Sequence, residues 1–289
     1  MREKILGLIE IEGELPPLPD IVTRIREMTQ SLNSNIKDIA KIIAIDPVLA
    51  LSIIKLSNSV YYSRSTAQIK TLPLAITKIG LNMLVKLVYS LKLCPLFTES
   101  SFLSNSQFWL HSLAVAIFSQ SLSRKIKAPQ EEQDITYLAG LMHDIGIMAF
   151  GYLIPLEYDD FLTKVHEKDV PLIILEKNAF GINHAELGAL YIDKWWDVDE
   201  NITLTVRYHH APFTDQAQNR TSVQLVNIAN SICNNQDITN GINCLPEEFS
   251  GEEALINLGL SQDEIENIME DVQTALDQAK ELVGYSFSS

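Results

Sequence analysis

The stretch LAGLMHDIGIMAFGYLIPL, residues 138–156, is the most apolar part of the chain, and His143 and Asp144 interrupt it. These two residues leave apolar runs much shorter than the roughly 18–20 residues that a transmembrane helix needs. The first ten residues also lack the continuous apolar core of a signal peptide. We therefore expect no membrane partner, and a chain whose apolar residues, 46% of the total, build a core.

Outside this stretch, apolar residues recur at spacings of three and four, which is typical of amphipathic helices. Two such stripes are Ile36, Ile39, Ala40, Ile43 and Leu81, Leu84, Val85, Val88. Helix-start signals accompany them: Asp46 before Pro47, Asn183 with Glu186, and Ser261 with Glu264. The sequence therefore predicts an all-α protein of about a dozen helices.

A polar segment between Leu96 and Ser106 breaks the helical pattern and indicates a domain boundary. We predict an N-terminal helical subdomain over residues 1–96 and a longer helical unit over residues 105–289, which ends in an acidic helix. No Gly/Ser-rich or Pro-rich linker joins them, so we expect the two units to pack on each other.

The charge of the chain is negative and unevenly distributed. The formal net charge is −15; the first 100 residues carry 12 Lys/Arg and 9 Asp/Glu, whereas the rest carries 10 and 28. An acidic surface repels phosphate backbones, so we expect no nucleic-acid partner. The three cysteines form no CxxC pair, which favours a reducing, cytoplasmic compartment and argues against a thiolate zinc site.

Five of the six histidines fall in or near apolar helical segments of the longer unit: His111, His143, His184, His209 and His210. With Asp144 they offer imidazole and carboxylate ligands, which suit Zn, Fe, Mn, Ni and similar divalent ions. Helical bundles build metal sites from such inward-facing side chains. Any one of the histidines could instead be a hydrogen-bonded core residue, and His209-His210 could cap a helix end. Because five core histidines would each need a buried partner, the pattern favours a metal site.

The run from Gly140 to Gly146, with His143-Asp144 at its centre, resembles the motif of the HD superfamily of metal-dependent phosphohydrolases. That superfamily has an early His, then the His-Asp pair, further histidines and a late Asp. The matching positions here are the early His111, the pair His143-Asp144, the later histidines His184, His209 and His210, and Asn230 where the family has Asp.

Segments of the N-terminal subdomain are similar to the HDOD domain, the HD-related output domain of bacterial signalling proteins. They are Leu15–Pro19, Ile45–Pro47 with Leu56–Ser59, and Leu72–Ile76 before Ile79-Gly80. The resemblance implies an all-α, HD-domain-like helical bundle with an N-terminal helical subdomain packed on it. It also implies a bacterial, cytoplasmic output protein that acts mainly through a regulatory protein partner. The sequence gives neither the partner nor the oligomeric state.

The resemblance further implies two metal-ligand groups that share Asp144. The first is His111, His143 and Asp144, with Asn230 at the position of the late acid. The second is Asp144, His184 and His209 or His210. The ion would be Fe, Mn, Zn, Ni or Mg. In an active enzyme, Asp144 and His143 would be catalytic. Among the few basic residues near the site, Arg207 is the best candidate for a contact with a substrate phosphate; the alternative is that it faces solvent.

Two roles therefore remain open: a regulatory output protein with a bound divalent metal, or a metal-dependent phosphohydrolase of the phosphodiesterase type. Asn230 lacks the charge of the family's aspartate, and Ile147 stands where active relatives often have Lys. The His-His-Glu run of the cyclic-di-GMP phosphodiesterases is also absent, because Ala211 follows His210. These departures favour the regulatory role.

Overall fold

The described chain is helical, with no strand in the residues that the computed structural model describes. These are residues 1–11, 20–31, 35–58, 68–93, 104–165, 168–196, 198–215, 217, 220–242 and 258–286. The prediction of an all-α protein is confirmed. The described part contains no single helix that is long and apolar enough to cross a membrane, although two bent helix pairs reach that length and apolarity when each pair is taken together.

Fifteen helices lie within the described ranges. They are α1 (Arg2–Ile11), α2 (Asp20–Gln30), α3 (Ile36–Ile43), α4 (Pro47–Ser57), α5 (Leu72–Ile79), α6 (Leu81–Leu93), α7 (Asn105–Lys125), α8 (Gln130–Met142), α9 (Ile145–Leu153), α10 (Pro155–Val165), α11 (Leu172–Phe180), α12 (His184–Trp195), α13 (Glu200–Tyr208), α14 (Thr221–Asn235) and α15 (Gln262–Ser286).

The chain groups into two compact units. One is Met1–Leu15 with Phe97–Met269, and the other is Pro16–Leu96 with Glu270–Ser289. Both chain ends are therefore grouped differently from the predicted ranges 1–96 and 105–289. For the N-terminus the cause is packing. Helix α1 packs against α9, and its Lys4 forms an ion pair with Glu157 of α10, with 2.6 Å between Nζ and Oε1. Sequence periodicity indicates which face of a helix is buried, but not its packing partner.

The shorter unit contains α2 to α6. Helix α4 packs on α5, and α2 packs on α6. Asp46 caps α4 as predicted, since its side chain accepts the Leu49 N–H at 2.9 Å. Gly80 separates α5 from α6 with φ of 83°, a backbone conformation that disfavours residues with a Cβ atom.

The longer unit brings together the helices that carry the predicted ligands. Helix α7 packs along α8, α14 packs on both, and α12 packs on α9 and α13. Helices α9 and α12 touch backbone to backbone at Gly146, where a Cβ atom would lie 1.8 Å from the carbonyl oxygen of His184. The His-Asp turn before α9 and the start of α12 are therefore held together by a contact that only glycine permits.

Two other predicted helix-start signals are also present. The capping box of α12 forms between Asn183 and Glu186, and Ser261 exchanges hydrogen bonds with Glu264 at the start of α15. The apolar stripe of α15 is buried at Ile265, Ile268, Val272, Leu276 and Ala279. Acidic residues such as Asp263, Glu266 and Glu270 lie on its exposed side.

Candidate metal centre

The six predicted His and Asp ligands meet in the longer unit, and we call them the Asp144 cluster: His111, His143, Asp144, His184, His209 and His210. Ligand atoms of His111, His143 and Asp144 lie within 4.8 Å of one another, and so do those of Asp144, His184, His209 and His210. These are the two groups that the family resemblance implied. All members are buried except His210, which is partly exposed.

His143 and His209 reach the cluster from the ends of two helices. His143 directly follows α8, and its Nδ1 lies 2.8 Å from the carbonyl oxygen of Gly140. His209 directly follows α13, and its Nδ1 lies 2.7 Å from the carbonyl oxygen of Val206. The last carbonyls of a helix have no partner within the helix, so each ring satisfies one of them while its Nε2 faces Asp144.

His184 is held from the start of α12 by a buried acid. The Oε2 atom of Glu176 accepts both the backbone N–H of His184 and its ring Nδ1–H, each at 2.7 Å. The other carboxylate oxygen accepts the hydroxyl of Tyr158 at 2.7 Å. Glu176 is fully buried, so this acid orients His184 from a side that solvent does not reach.

The Nδ1 contacts determine which ring nitrogen carries the proton. In His111, His143 and His209 the Nδ1 atom faces a backbone carbonyl, which can only accept, so Nδ1 must donate. The neutral ring then presents a lone pair at Nε2. The Nε2 atoms of His111 and His143 lie 3.3 Å apart, and that of His209 has no hydrogen-bond partner among the described residues.

This donor set fits a divalent metal ion. Facing lone pairs around a carboxylate need a cation between them, either a proton or a metal. Desolvation and repulsion from His143 lower the pKa of His111 to about 4, and desolvation with the nearby His210 lowers the pKa of His209 well below its usual value. Protons are therefore disfavoured at neutral pH. Nδ1–H groups bound to carbonyl or carboxylate oxygens are the usual arrangement behind metal-binding imidazoles.

Asp144 remains ionised at the centre. Burial alone would raise the pKa of this carboxyl group, but the attraction of the surrounding imidazoles whenever they carry a proton, His143 first, holds it well below its usual value. Its two oxygens face different histidines: Oδ1 lies 3.4 Å from His184 Nε2, and Oδ2 lies 3.2 Å from His143 Nε2. The carboxylate can thus serve both ligand groups.

The other predicted site residues occupy less direct positions. Asn230 on α14 is buried beside His111, and its side-chain oxygen accepts a hydrogen bond from Asn234 at 2.9 Å. Arg207 is half-buried on α13, and no hydrogen bond or ion pair joins it to the described residues of the cluster. Ile147 is fully buried on α9.

Sequence reasoning missed two residues that support the cluster. Glu176 follows four apolar residues, Leu172 to Leu175, and the only sequence signal was a charged residue in that apolar context. Asn240 lies in the loop after α14 and donates a hydrogen bond to Asp144 Oδ2 at 2.7 Å. No periodicity or motif marks this loop residue.

Comparison with known proteins places the chain among HDOD proteins. The family model of the HDOD domain matches residues 15–212. An uncharacterized protein of Treponema pallidum is 26% identical over 198 residues, which are 68% of this chain but only 38% of that protein. The match thus spans less than half of that relative's length.

Solved structures agree on the fold. An HDOD domain protein of unknown function from Geobacter sulfurreducens has a TM-score of 0.73 and 25% identity, over 99% of this chain and 95% of its own. A proposed phosphohydrolase from Shewanella amazonensis has a TM-score of 0.74 and 19% identity, over 96% of this chain and 98% of its own. Since the family model covers more than half of the chain, this chain belongs to the HDOD family.

Proposed function

We propose that this chain is a bacterial signalling output protein of the HDOD type, which holds a divalent metal ion in the Asp144 cluster and acts mainly through a regulatory protein partner. The observation that carries the proposal is the convergence of imidazole Nε2 atoms on the carboxylate of Asp144. Their Nδ1 atoms are already bound to protein acceptors, which leaves Nε2 for the metal.

The burial of the cluster favours a regulatory or structural ion over a catalytic one. His111, His143, Asp144 and His209 are each at most 3% exposed. A metal ion can enter such a site, but a phosphoester must also reach the metal from solvent. No hydrogen bond or ion pair joins Arg207 to the described residues of the cluster, and Ile147 offers no positive charge to a phosphate.

The second candidate function is phosphoester hydrolysis. It is favoured by Asp144, which faces two ligand groups, as a bridging carboxylate of a two-metal site would. A bound ion would lower the pKa of a water molecule and so supply a nucleophile. In that case the protein's own contribution is to hold the imidazoles neutral and correctly oriented through their Nδ1 contacts.

The test is the metal content of the full chain purified without chelator, measured by elemental mass spectrometry. We expect a divalent metal in the wild type and none in Asp144→Asn, because this substitution removes the shared carboxylate. Asp193→Asn, an exposed position on α12, is the matched control and should retain the metal. Absence of metal in the wild type, even after incubation with Mn²⁺, Fe²⁺, Zn²⁺ or Ni²⁺, would refute the proposal.

The same proteins distinguish the two roles. Metal-loaded wild type is assayed with phosphodiesters, cyclic dinucleotides first. Hydrolysis that Asp144→Asn abolishes and Asp193→Asn retains would establish the enzyme. Turnover that does not exceed the level of Asp144→Asn would support the regulatory role.

A further inference from the structure

The two oxygens of Asp144 lie in different surroundings. Oδ1 faces the Nε2 atoms of His184 at 3.4 Å and His209 at 3.7 Å, and we call this side, with His210, the Oδ1 half. Oδ2 faces those of His143 at 3.2 Å and His111 at 3.6 Å, and we call this side the Oδ2 half. Both halves are built from imidazoles, but among the described residues an amide side chain contacts only one of the two carboxylate oxygens.

That residue is Asn240, which donates from Nδ2 to Asp144 Oδ2 at 2.7 Å. Its amide orientation is fixed at both ends, because its Oδ1 accepts the backbone N–H of Ile242 at 3.1 Å. The amide hydrogens, which carry partial positive charge, therefore point at Oδ2. They use one of its lone pairs and oppose the approach of a cation from that side.

The Oδ2 half also lacks a second negative charge. Asn230, next to His111, is neutral where the family has an aspartate. The same loop that carries Asn240 binds the outer face of His111, since the Ile238 carbonyl accepts the ring Nδ1–H at 2.7 Å. Residues 238–242 therefore hold this half in place at two points. The Ile238 carbonyl binds the His111 ring, and the Asn240 side chain binds the Asp144 carboxylate.

The Oδ1 half differs in what surrounds the oxygen. The contacts of Asp144 Oδ1 among the described residues are imidazole nitrogens, His184 Nε2 at 3.4 Å and His209 Nε2 at 3.7 Å, and the Nε2 atoms of His184 and His210 lie 2.9 Å apart. His209 Nε2 is buried without a hydrogen-bond partner and faces that oxygen. Behind His184 lies the buried carboxylate of Glu176, which adds a second negative charge and raises the basicity of the ring.

On the basis of the proposed metal site, we infer that the cluster binds a single divalent ion tightly, in the Oδ1 half with Asp144, His184, His209 and His210 as ligands. Asn240 is a positioning residue that holds Asp144 for this half and disfavours a second ion in the other. The protein thus has both of the family's groups of ligand residues, but only one of the two groups binds a metal ion with high affinity.

Titration of Co²⁺ into the chelator-treated full chain, followed by visible absorption and elemental analysis, tests this inference. The wild type should bind one tight equivalent. His209→Ala should lose it, whereas His143→Ala should keep it. His209→Gln, which preserves more volume, replaces the alanine variant if circular dichroism shows that the latter is unfolded.

Asn240→Asp provides the gain-of-function arm. It replaces the amide donor with a carboxylate, so the affinity for a second Co²⁺ should rise by about 10- to 100-fold. Asn201→Asp at the start of α13 makes the same charge change outside the cluster and should leave the stoichiometry at one.

The outcomes separate this inference from the proposed function. Two tight equivalents in the wild type, or a tight site lost in His143→Ala and kept in His209→Ala, would overturn the inference while leaving metal binding intact. An unchanged second-site affinity in Asn240→Asp would overturn the role of Asn240. No binding of Co²⁺ by the wild type would refute the proposed metal site itself.

Discussion

Three histidines of the cluster stand at helix ends, and they are oriented in two ways, according to which end of the helix carries them. At the C-terminal ends of α8 and α13, His143 and His209 donate Nδ1–H to a backbone carbonyl three residues earlier. At the N-terminal end of α12, His184 donates to the carboxylate of Glu176 instead. Free carbonyls exist only at helix C-termini, whereas helix N-termini offer only N–H groups.

The comparison shows why a buried acid is needed in one place only. A ring at a helix start finds no backbone acceptor, so a side chain must supply one. The carboxylate of Glu176 accepts the backbone N–H of His184 as well, and it lies at the positive end of the helix dipole. The polarity of the helix thus determines what supports each metal ligand.

Gly146→Ala should have the largest effect, because the added Cβ atom would push the turn after α8 away from the start of α12. The added Cβ would lie 1.8 Å from the His184 carbonyl oxygen and 2.7 Å from the Gly188 nitrogen. We expect the free energy of unfolding to fall by at least about 3 kcal/mol in urea unfolding.

Gly151→Ala is the matched control on the same helix, since a Cβ there meets no atom within 4 Å. It should stabilise the protein by up to about 1 kcal/mol through helix propensity. Equal stability of the two variants would show that the close approach of α9 and α12 is absent.

Lowering the pH should destabilise the metal-free protein at pH values above the range in which carboxylates usually titrate. His111 has a pKa of about 4 when folded, against an ordinary value of 6.5, so the unfolded state binds more protons between these values. Above about pH 6.5, His111 contributes its full share of the free energy of unfolding. This contribution falls by about 3 kcal/mol as the pH approaches about 4.

Asp144 extends the trend, because its lowered pKa contributes stability above about pH 3.9 that is lost as pH falls further. Urea unfolding of chelator-treated protein at about pH 7.5 and about pH 4.5 measures the effect. A flat profile would mean that burial does not keep the His111 imidazole neutral.

Glu176→Gln should weaken metal binding by about 10- to 100-fold, because the acceptor behind His184 loses its charge. Competition of the protein with a chromophoric chelator for Zn²⁺ provides the affinity. Glu186→Gln, at the third position of α12, is the control and should change the affinity by less than about threefold, since it contacts Asn183 and Lys177 rather than the ring.

Asn183→Ala should have the smallest effect. It removes the cap of α12, in which Asn183 Oδ1 accepts the Glu186 N–H at 2.9 Å, and should cost about 1 kcal/mol of stability. Metal affinity should hardly change, because Glu176 and not the cap orients His184. A loss of affinity as large as that of Glu176→Gln would contradict this division of roles.

Local signals in the sequence predicted what depends on neighbours along the chain. The helical class follows from periodicity, the Asp46 cap follows from the proline directly after it, and the Asn183–Glu186 box follows from a spacing of three residues. The ligand set could be named because the histidines stand in apolar segments and resemble a known motif.

What escaped prediction depends on contacts distant in sequence. Glu176 is explained only by His184, eight residues on, and Tyr158, 18 residues back. Asn240 acts on Asp144 across 96 residues from a loop that carries no periodic signal. The grouping of α1 with the longer unit likewise depends on α9. No spacing rule connects such pairs before the fold brings them together.

The fixed Nδ1 contacts also determine the proton balance of metal uptake. Metal sites often release protons when their ligands lose them to the incoming ion. Here His209 is already neutral near pH 7, its one ring proton stays on the nitrogen that faces the Val206 carbonyl, and Asp144 is already ionised. Metal uptake at these two ligands would release no protons, so their contribution to the heat of binding would not depend on the ionisation enthalpy of the buffer.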